Sequence, residues 1–585
     1  MAKRRKPISL DTTLRNPERI PQFISILAEF ENKVMTDDIA LELEARIIQE
    51  KIFQPTKSTL GTYKKAYSGK FIFHAKDQSL DAEKFVNDYF LEWKNGTPGS
   101  MPLDKIVYLL ENTITAHNEK GWNGGWESRI HTQYNFLNEL GLIRLVKNEK
   151  VLISKTGKLM IENYKFGKRI NGSLEDKKEQ SAFLIAFSKY QVNNPYRKNT
   201  VKVNLFSLIL NLLIYYKENY DKPGIHRQDL SFVIVWGDNN YRSLADYIYS
   251  FRKIHGYRTS DELVYEYAMN ILDTVNFDNK PRKANRDFIL SKKDDYKPEK
   301  IIRETPDEVI RKLRLTMLIS LRGGGRFIDV NTNEINKINH VIDNYSVNRD
   351  FADNTDDYYK FMGEIDDSLI FDNIYKDVVE EKQIKSNLIN DWSKNSDWDY
   401  LQKEIIICTQ NRNSEDLVLK YIEKPVRFEF LCSVVLQKAL PGAVVIPNYI
   451  TDDEGIPFSS AIGQSADNIG ADIDIYEDKI HAIAEPTISH SRSFQIEHEI
   501  PSIRNHVIES SKYDKNKLKN IDSWFAIFIV PSISPDVGDQ VAAVKLINNV
   551  EIYPWVVDDF VNFSKTISSV LDFKIIRDYA LPQRL

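Results

Sequence analysis

The sequence predicts a multidomain α+β protein. It reads as helical N-terminal modules with short β-hairpins, a helical linker, and a C-terminal α/β unit built on a mixed sheet. Three observations lead there. With 585 residues the chain is long enough for roughly two to four domains. Its charge changes sign along its length: residues 1–345 carry a net +11, residues 346–400 a net −8, and residues 401–585 another −8. Helical periodicity dominates the first part, whereas DIDIY and IHAIAEPT in the last part alternate with period two. The expected boundaries are 1–195 and 196–345 for two N-terminal modules, 346–400 for the linker and 401–585 for the C-terminal unit.

Composition narrows the class. A hydrophobic content of 42% is ordinary for a folded protein, and no run approaches the ~18 apolar residues a membrane span needs. The basic start MAKRRKPISL is not followed by an apolar stretch, so no secretory signal is expected. Two cysteines, Cys408 and Cys432, in so long a chain point to a reducing compartment, with the cytoplasm as the expected location. They are too few for a structural zinc site. The excess positive charge before residue 346 is the footprint expected of a phosphate-binding surface.

In the stretch 126–160, Ile130, Tyr134, Phe136, Leu137 and Leu140 recur at helical spacing, and Gly141 stops that helix. Two β-type runs, LIRLV and KVLIS, flank the turn Lys147–Lys150, and TGKLMIENY opens another helix with Ser154 or Thr156 as its cap. Helix, hairpin and helix in this order resemble a winged helix-turn-helix, a module whose helix enters the DNA major groove. Arg144, Lys147, Lys155 and Lys158 gather around the wing, with Lys150 beside them. A second module is expected from the apolar helix 201–219, the turn and helix of 223–237, and a helix over 239–256. The run 307–331 repeats helix, glycine turn and strand. Gly323–Gly325 is a turn and not a phosphate loop, because no Gly-Lys-Ser/Thr follows. No G-x-G-x-x-G after a strand and no G-x-S-x-G elbow occurs either, so nucleotide-driven and serine-hydrolase chemistry lack support. The acidic stretch 346–400 is expected to be a spacer that DNA would repel.

The C-terminal unit carries the chemistry. Alternation in DIDIY puts Asp472 and Asp474 on one face and Ile473 and Ile475 on the other. A turn at Glu477–Lys479 folds IHAIAEPT back beside it, so Asp472 and Glu485 fall nearly opposite one another. Two carboxylates that close raise each other's pKa, and a divalent cation between them relieves the repulsion. Hard oxygen ligands in a partly open shell favour Mg²⁺, which lowers the pKa of bound water and stabilises charge on phosphate. Glu485 lies in an apolar run, where an idle carboxylate is costly. Helices are expected over 425–440, carrying Glu429, and over 494–512, where Pro501 bends or restarts the helix. A buried strand at 523–533 and a strand–helix pair at 550–567 complete the unit. His481, His490, His498 and His506 match no zinc spacing.

That order of elements is the order of the PD-(D/E)xK nuclease fold. The chain also resembles the AlwI-type type IIS restriction endonucleases and their nicking relatives. The resemblance is carried by LRNPERIP (14–21) with Phe30-Glu31, RFEFL around Glu429, ADIDIYED at Asp472, AEPT at Glu485, and Gln495 with Glu499 and His506. It implies an N-terminal part that reads a short asymmetric double-stranded DNA site, with Arg15, Arg19, Arg144, Lys147, Lys155 and Lys158 as candidate DNA contacts. It implies a C-terminal part that cuts to one side. Asp472 and Glu485 would bind Mg²⁺, with Glu429 and Glu499 as accessory acids; Glu497 competes with Glu499. Thr487 stands where the nuclease motif often has lysine, and Lys479, His490, Gln495 and Glu499 are the candidates for its task. A single catalytic domain implies transient self-association on DNA or a second nuclease subunit for a double-strand break. A cognate DNA methyltransferase is implied as partner. Three other readings stay open: a strand-specific nicking enzyme, a DNA-binding regulator with an inactive nuclease domain, and a nuclease that reads DNA shape.

Overall fold

The computed structural model describes residues 6–10, 19–55, 75–77, 79–113, 115, 122, 125–169, 177–220, 223–273, 296–371, 378–410, 412–459, 470–517 and 520–582. Over these the chain is a mixed α+β protein. Helices α1 (Arg19–Leu27), α2 (Asp37–Gln49), α3 (Leu80–Asn95) and α4 (Leu103–Glu111) lead into α5 (Arg129–Glu139). Strands β1 (Ile143–Arg144) and β2 (Leu152–Ile153) pair antiparallel. Helix α6 (Lys155–Met160) follows, capped by Ser154, whose hydroxyl accepts the Gly157 N–H at 3.0 Å. The hairpin β3 (Tyr164–Lys165) and β4 (Lys168–Arg169), absent from the sequence expectation, precedes α7 (Lys178–Lys189). None of the eleven residues of α5 is exposed, because its polar positions are covered as well as its apolar stripe.

The next part contains α8 (Leu205–Tyr220), β5 (Ile225–His226), α9 (Leu230–Val235), α10 (Tyr241–His255), α11 (Asp261–Asp273) and α12 (Thr305–Leu315). Strands β6 (Ile319–Arg322) and β7 (Phe327–Val330) join β5 in a three-stranded sheet ordered β5-β7-β6. The glycines of the expected turn all have positive φ between β6 and β7. Helix α13 (Ile335–Tyr345) closes this part.

The acidic stretch divides. Its first half, with α14 (Thr355–Gly363), lies against the first module: Tyr358, Met362 and Leu369 are fully buried, and the Tyr358 hydroxyl donates to the Glu139 carbonyl at 2.6 Å. Its second half, α15 (Val378–Asn395), packs with α16 (Trp398–Thr409) on α17 (Lys424–Ala439).

The C-terminal sheet has five strands: β8 (Val444–Pro447), β11 (Ile473–Glu477), β12 (Ile480–Pro486), β13 (Ser523–Val530) and β14 (Ile552–Val556). The short pair β9 (Ile450–Thr451) and β10 (Pro457–Ser459) lies beside it. The order is β14-β13-β12-β11-β8, antiparallel on the β8 and β11 side and parallel from β12 to β14. The parallel pairs need crossovers, supplied by α18 (Ile500–Lys517) and α19 (Asp536–Asn548), with α20 (Val557–Ser564) after β14. Alternation along β13 explains its burial on both faces. Phe525, Ile527 and Ile529 join the core with α17, whereas Ala526, Phe528 and Val530 join α18 and α19. Edge strand β8 was not expected, because four residues ending in Pro447 give too short a signal.

One apolar core runs through both halves of the molecule. Buried Arg314 on α12 reaches Asp452 at 3.2 Å and the Pro457 carbonyl at 2.6 Å. Arg322 on β6 reaches Asp453 and Glu454, each at 2.7 Å.

Gly141 sits where the acidic stretch meets the first module. Its φ is +63°, and a Cβ there would collide with the Cβ of Met362. Gly141→Ala should therefore combine left-handed strain with overpacking and cost about 2–4 kcal/mol. Thermal melting and proteolysis around residues 346–371 check this; an unchanged melt would mean that α14 is only loosely seated.

Candidate active site

The hairpin register builds the site. Ile473 pairs with Ala484, so the next position outward sets Asp472 against Glu485, at the carboxyl end of β12. Ile473 and Ile475 are fully buried in the core that holds α17, which turns Asp472 and Glu485 toward α18. Glu485 is buried and Asp472 half-buried. The Glu485 carboxyl is among the groups that favour the protonated form of Asp472. Burial first, then the charges of Glu429, Glu485 and Glu499, holds the Asp472 carboxyl well above its usual range. Glu429 arrives from the buried face of α17, near Cys432, whose thiol is pushed up by burial and then by Cys408, Glu429 and Asp472.

Glu499 ends a π-turn, Gln495–Glu499, that follows the single turn Arg492–Phe494. In it the Ile500 N–H reaches back to the Gln495 carbonyl, and Pro501, which has no N–H, comes next. The extra residue aims Glu499 at the cluster and leaves Glu497 exposed. Burial, then Glu485, raises the Glu499 carboxyl to about 7, against a hydrogen bond from Thr487 and the charge of His506. Thr487, at the position where the motif has lysine, is thus one of the groups that act on Glu499.

His506 completes the group. Its Nδ1 lies 2.8 Å from Glu485 Oε1, and its Nε2 lies 3.3 Å from Ser502 Oγ. Burial lowers its pKa, but Glu485, Asp474 and Glu499 outweigh that and raise it. The ring packs on Gly470, where a Cβ would come within 2.8 Å of Nε2. The sequence signal for His506 was its place seven residues, two helical turns, after Glu499.

The other candidates for the lysine's task stand elsewhere. Lys479 is at the hairpin turn, six residues or about 20 Å along the strand from Glu485, and is paired with Asp522 at 3.4 Å. Gln495 donates to the Ser489 and Ser532 carbonyls at 3.1 and 2.8 Å, fastening two loops. His490 meets Ser532 Oγ at 3.0 Å.

Among the described residues no group of three or more His, Cys, Asp or Glu side chains is arranged so as to hold a metal ion. The donor set at Asp472 and Glu485 fits a hard divalent cation nonetheless: oxygen ligands only, whose mutual repulsion a cation would relieve.

Four of the six candidate DNA contacts form ion pairs within the protein. Arg144 pairs with Glu149 and, at 2.9 Å, with Asp356. Lys147 pairs with Asp37 at 2.8 Å, Lys155 with Glu364 at 2.7 Å, and Lys158 with Glu31 at 2.9 Å. Arg19 is exposed, and Arg15 lies outside the described residues. Lys198 pairs with Asp353, and Lys202 with Asp350 at 3.3 Å. The acidic stretch, expected to stand apart, thus lies on the basic face of the N-terminal part.

The Glu499 carboxyl has its ordinary 4.5 in the unfolded chain and about 7 in the fold. Between these values the folded protein binds more protons, so stability falls as pH rises across that interval. Melting in EDTA from pH 4.5 to 7 should show the decline, and Glu499→Gln should flatten it. An equally steep decline in the variant would assign it to other groups.

Among the described residues no helix is long and apolar enough to cross a membrane. No curated protein matches the chain. Of solved structures, the small subunit of the heterodimeric restriction endonuclease R.BspD6I is 20% identical, over 31% of this chain and 76% of that one, with a TM-score of 0.21. Restriction endonuclease FokI is 13% identical, over 96% of this chain and 97% of that one, with a TM-score of 0.24. FokI bound to DNA is likewise 13% identical, over 97% of each chain, with a TM-score of 0.22. These likenesses are too weak to add to what the family model gives. The model of the AlwI restriction endonuclease matches residues 138–395 and 370–562, most of the sequence. The chain belongs to the AlwI restriction endonuclease family.

Proposed function

We propose that this restriction endonuclease is a type IIS enzyme that uses Mg²⁺. Its N-terminal part binds a short asymmetric double-stranded DNA sequence through winged-helix-type modules. Its C-terminal unit, read as a PD-(D/E)xK nuclease core, hydrolyses phosphodiester bonds a few base pairs to one side. The observation that carries the reading is the register-opposed pair Asp472 and Glu485, with Glu429 and Glu499 brought to the same strand ends.

Asp472 and Glu485 would hold the cation. When bound, Mg²⁺ supplies a Lewis acid that draws charge from the scissile phosphate and makes the attacking water more acidic. The side chains do the rest. Glu499, already poised near neutrality, takes the proton from the attacking water, and the Thr487 hydroxyl fixes the carboxylate's orientation. His506 holds Glu485 in place through its Nδ1–H. Glu429 supports Asp472 from below.

One such cluster cuts one strand. A double-strand break then needs a second catalytic domain, from a transient second copy on DNA or from a second nuclease subunit. Without it the product is a nick, which is the alternative reading this single site favours. A cognate DNA methyltransferase would protect the host's own sites.

The test is incubation with plasmid DNA and Mg²⁺, an EDTA control, and sequencing of the ends. Ends at a constant distance from one short motif are expected; intact DNA with site-specific binding would leave only a regulator. Asp472→Ala and Glu485→Ala should each slow cleavage by at least about 10³-fold, or about 4 kcal/mol of transition-state stabilisation. Gel-shift binding should be unchanged, and its loss in these variants would refute the separation of reading from cutting.

A further inference from the structure

Helix α18 packs Ile500, Ile503 and Val507 in one apolar cluster with Ile483 of strand β12, and flanks that packing with two polar meetings. The first meeting is His506 with Glu485. The second is at His481, four residues earlier on the same strand and the same face. His481 is fully buried, with Nε2 2.9 Å from Asp474 Oδ1 and Nδ1 2.6 Å from Asp514 Oδ2. Only a protonated imidazole donates from both nitrogens. Burial disfavours that form, but the two carboxylates outweigh it and raise the pKa to about 9.

Each neighbour is itself fixed. The Trp524 indole N–H donates to Asp514 Oδ2 at 2.8 Å, and the Tyr476 ring stacks on the imidazole with centroids 4.1 Å apart. Asn448 donates its side-chain amide to Asp474 Oδ2 at 2.9 Å and its backbone N–H to the Asp472 carbonyl at 2.9 Å. The His481 network therefore reaches the backbone of Asp472, and its Asp474 also acts on His506 by charge.

The spacing of the two meetings is the informative part. Glu485 and His481 are four strand residues apart, about 13 Å. His506 and Asp514 are eight helical residues apart, about 12 Å. The two spans match with α18 antiparallel to β12, so a slip of one helical turn, about 5.4 Å, breaks both contacts together. A buried ion triad adds little net stability over an apolar replacement, and its best-attested use is to fix register.

We propose that His481 is a positioning residue for phosphodiester hydrolysis. Clamped between Asp474 and Asp514, it sets the register of α18 on β12 and so brings Glu499 and His506 to Asp472 and Glu485. This rests on reading the acid cluster as the hydrolytic site.

The experiment compares full-length wild type, His481→Gln and Asp514→Asn in single-turnover cleavage of site-containing DNA across a Mg²⁺ titration. His481→Gln should lower the rate constant about 10- to 100-fold and raise the Mg²⁺ concentration for half-maximal rate, with DNA binding unchanged. Asp514→Asn, which keeps a hydrogen-bond partner, should move both in the same direction by less. A purely structural role would instead lower the reacting fraction and leave the rate constant and Mg²⁺ midpoint at wild-type values. That result in whichever variant folds overturns the proposal, as does failure of both to fold. Wild type that does not cleave with Mg²⁺ refutes the nuclease reading instead.

Discussion

Carboxylates gathered in a folded interior push one another apart, and the C-terminal unit is organised around holding them together. Strand register makes the first decision. Because side chains alternate faces, a one-residue slip of β11 on β12 would bury Asp472 and Asp474 against α17 and turn Ile473 outward. The apolar alternation that seats the hairpin therefore also selects the acids that meet. Helices make the second decision: α17 supplies Glu429 from beneath the sheet, and the π-turn ahead of α18 supplies Glu499. Burial first, and then repulsion from the neighbouring acids, holds Asp472 and Glu499 toward their protonated forms.

The two halves of the molecule are not beads on a string. Interfaces between domains of one chain are commonly polar and moderate in size. Here an apolar core continues across the junction, and Arg314 gives up its hydration to reach Asp452. Cutting one partner of such a buried pair leaves a charge without solvent or counterpart, so the junction tolerates little piecemeal change.

Much of this was legible in the sequence, for identifiable reasons. The alternation of DIDIY and IHAIAEPT gave both strands and the meeting of Asp472 with Glu485, because period two leaves little freedom. Gly141 and Ser154 marked helix ends through their own backbone and side-chain chemistry. Strand β8 escaped because it is short and ends in proline, and β3 and β4 because two residues carry no period. Pro501 announced a disturbance in its helix, but not that the turn would widen so as to separate Glu499 from Glu497. The double role of histidine was hidden because Asp514 lies 33 residues from His481. Pairings at that range are set by packing, which local patterns do not carry.

The acidic cover on the basic face has a consequence for counterions. A lysine facing water carries a loose cloud of solvent anions, and binding a polyanion sets part of the ionic atmosphere free, which is why such binding weakens steeply with salt. Lys155 and Arg144 already hold Glu364 and Asp356. A phosphate arriving there would first have to displace a tethered carboxylate, so the gain from pairing it would be smaller than at a free cation, while the cations condensed on the DNA would still be released. The net positive charge of the first 345 residues therefore overstates the free charge that the surface offers. Ionic strength would act on the exchange from both sides, loosening the internal pairs as it weakens the external ones.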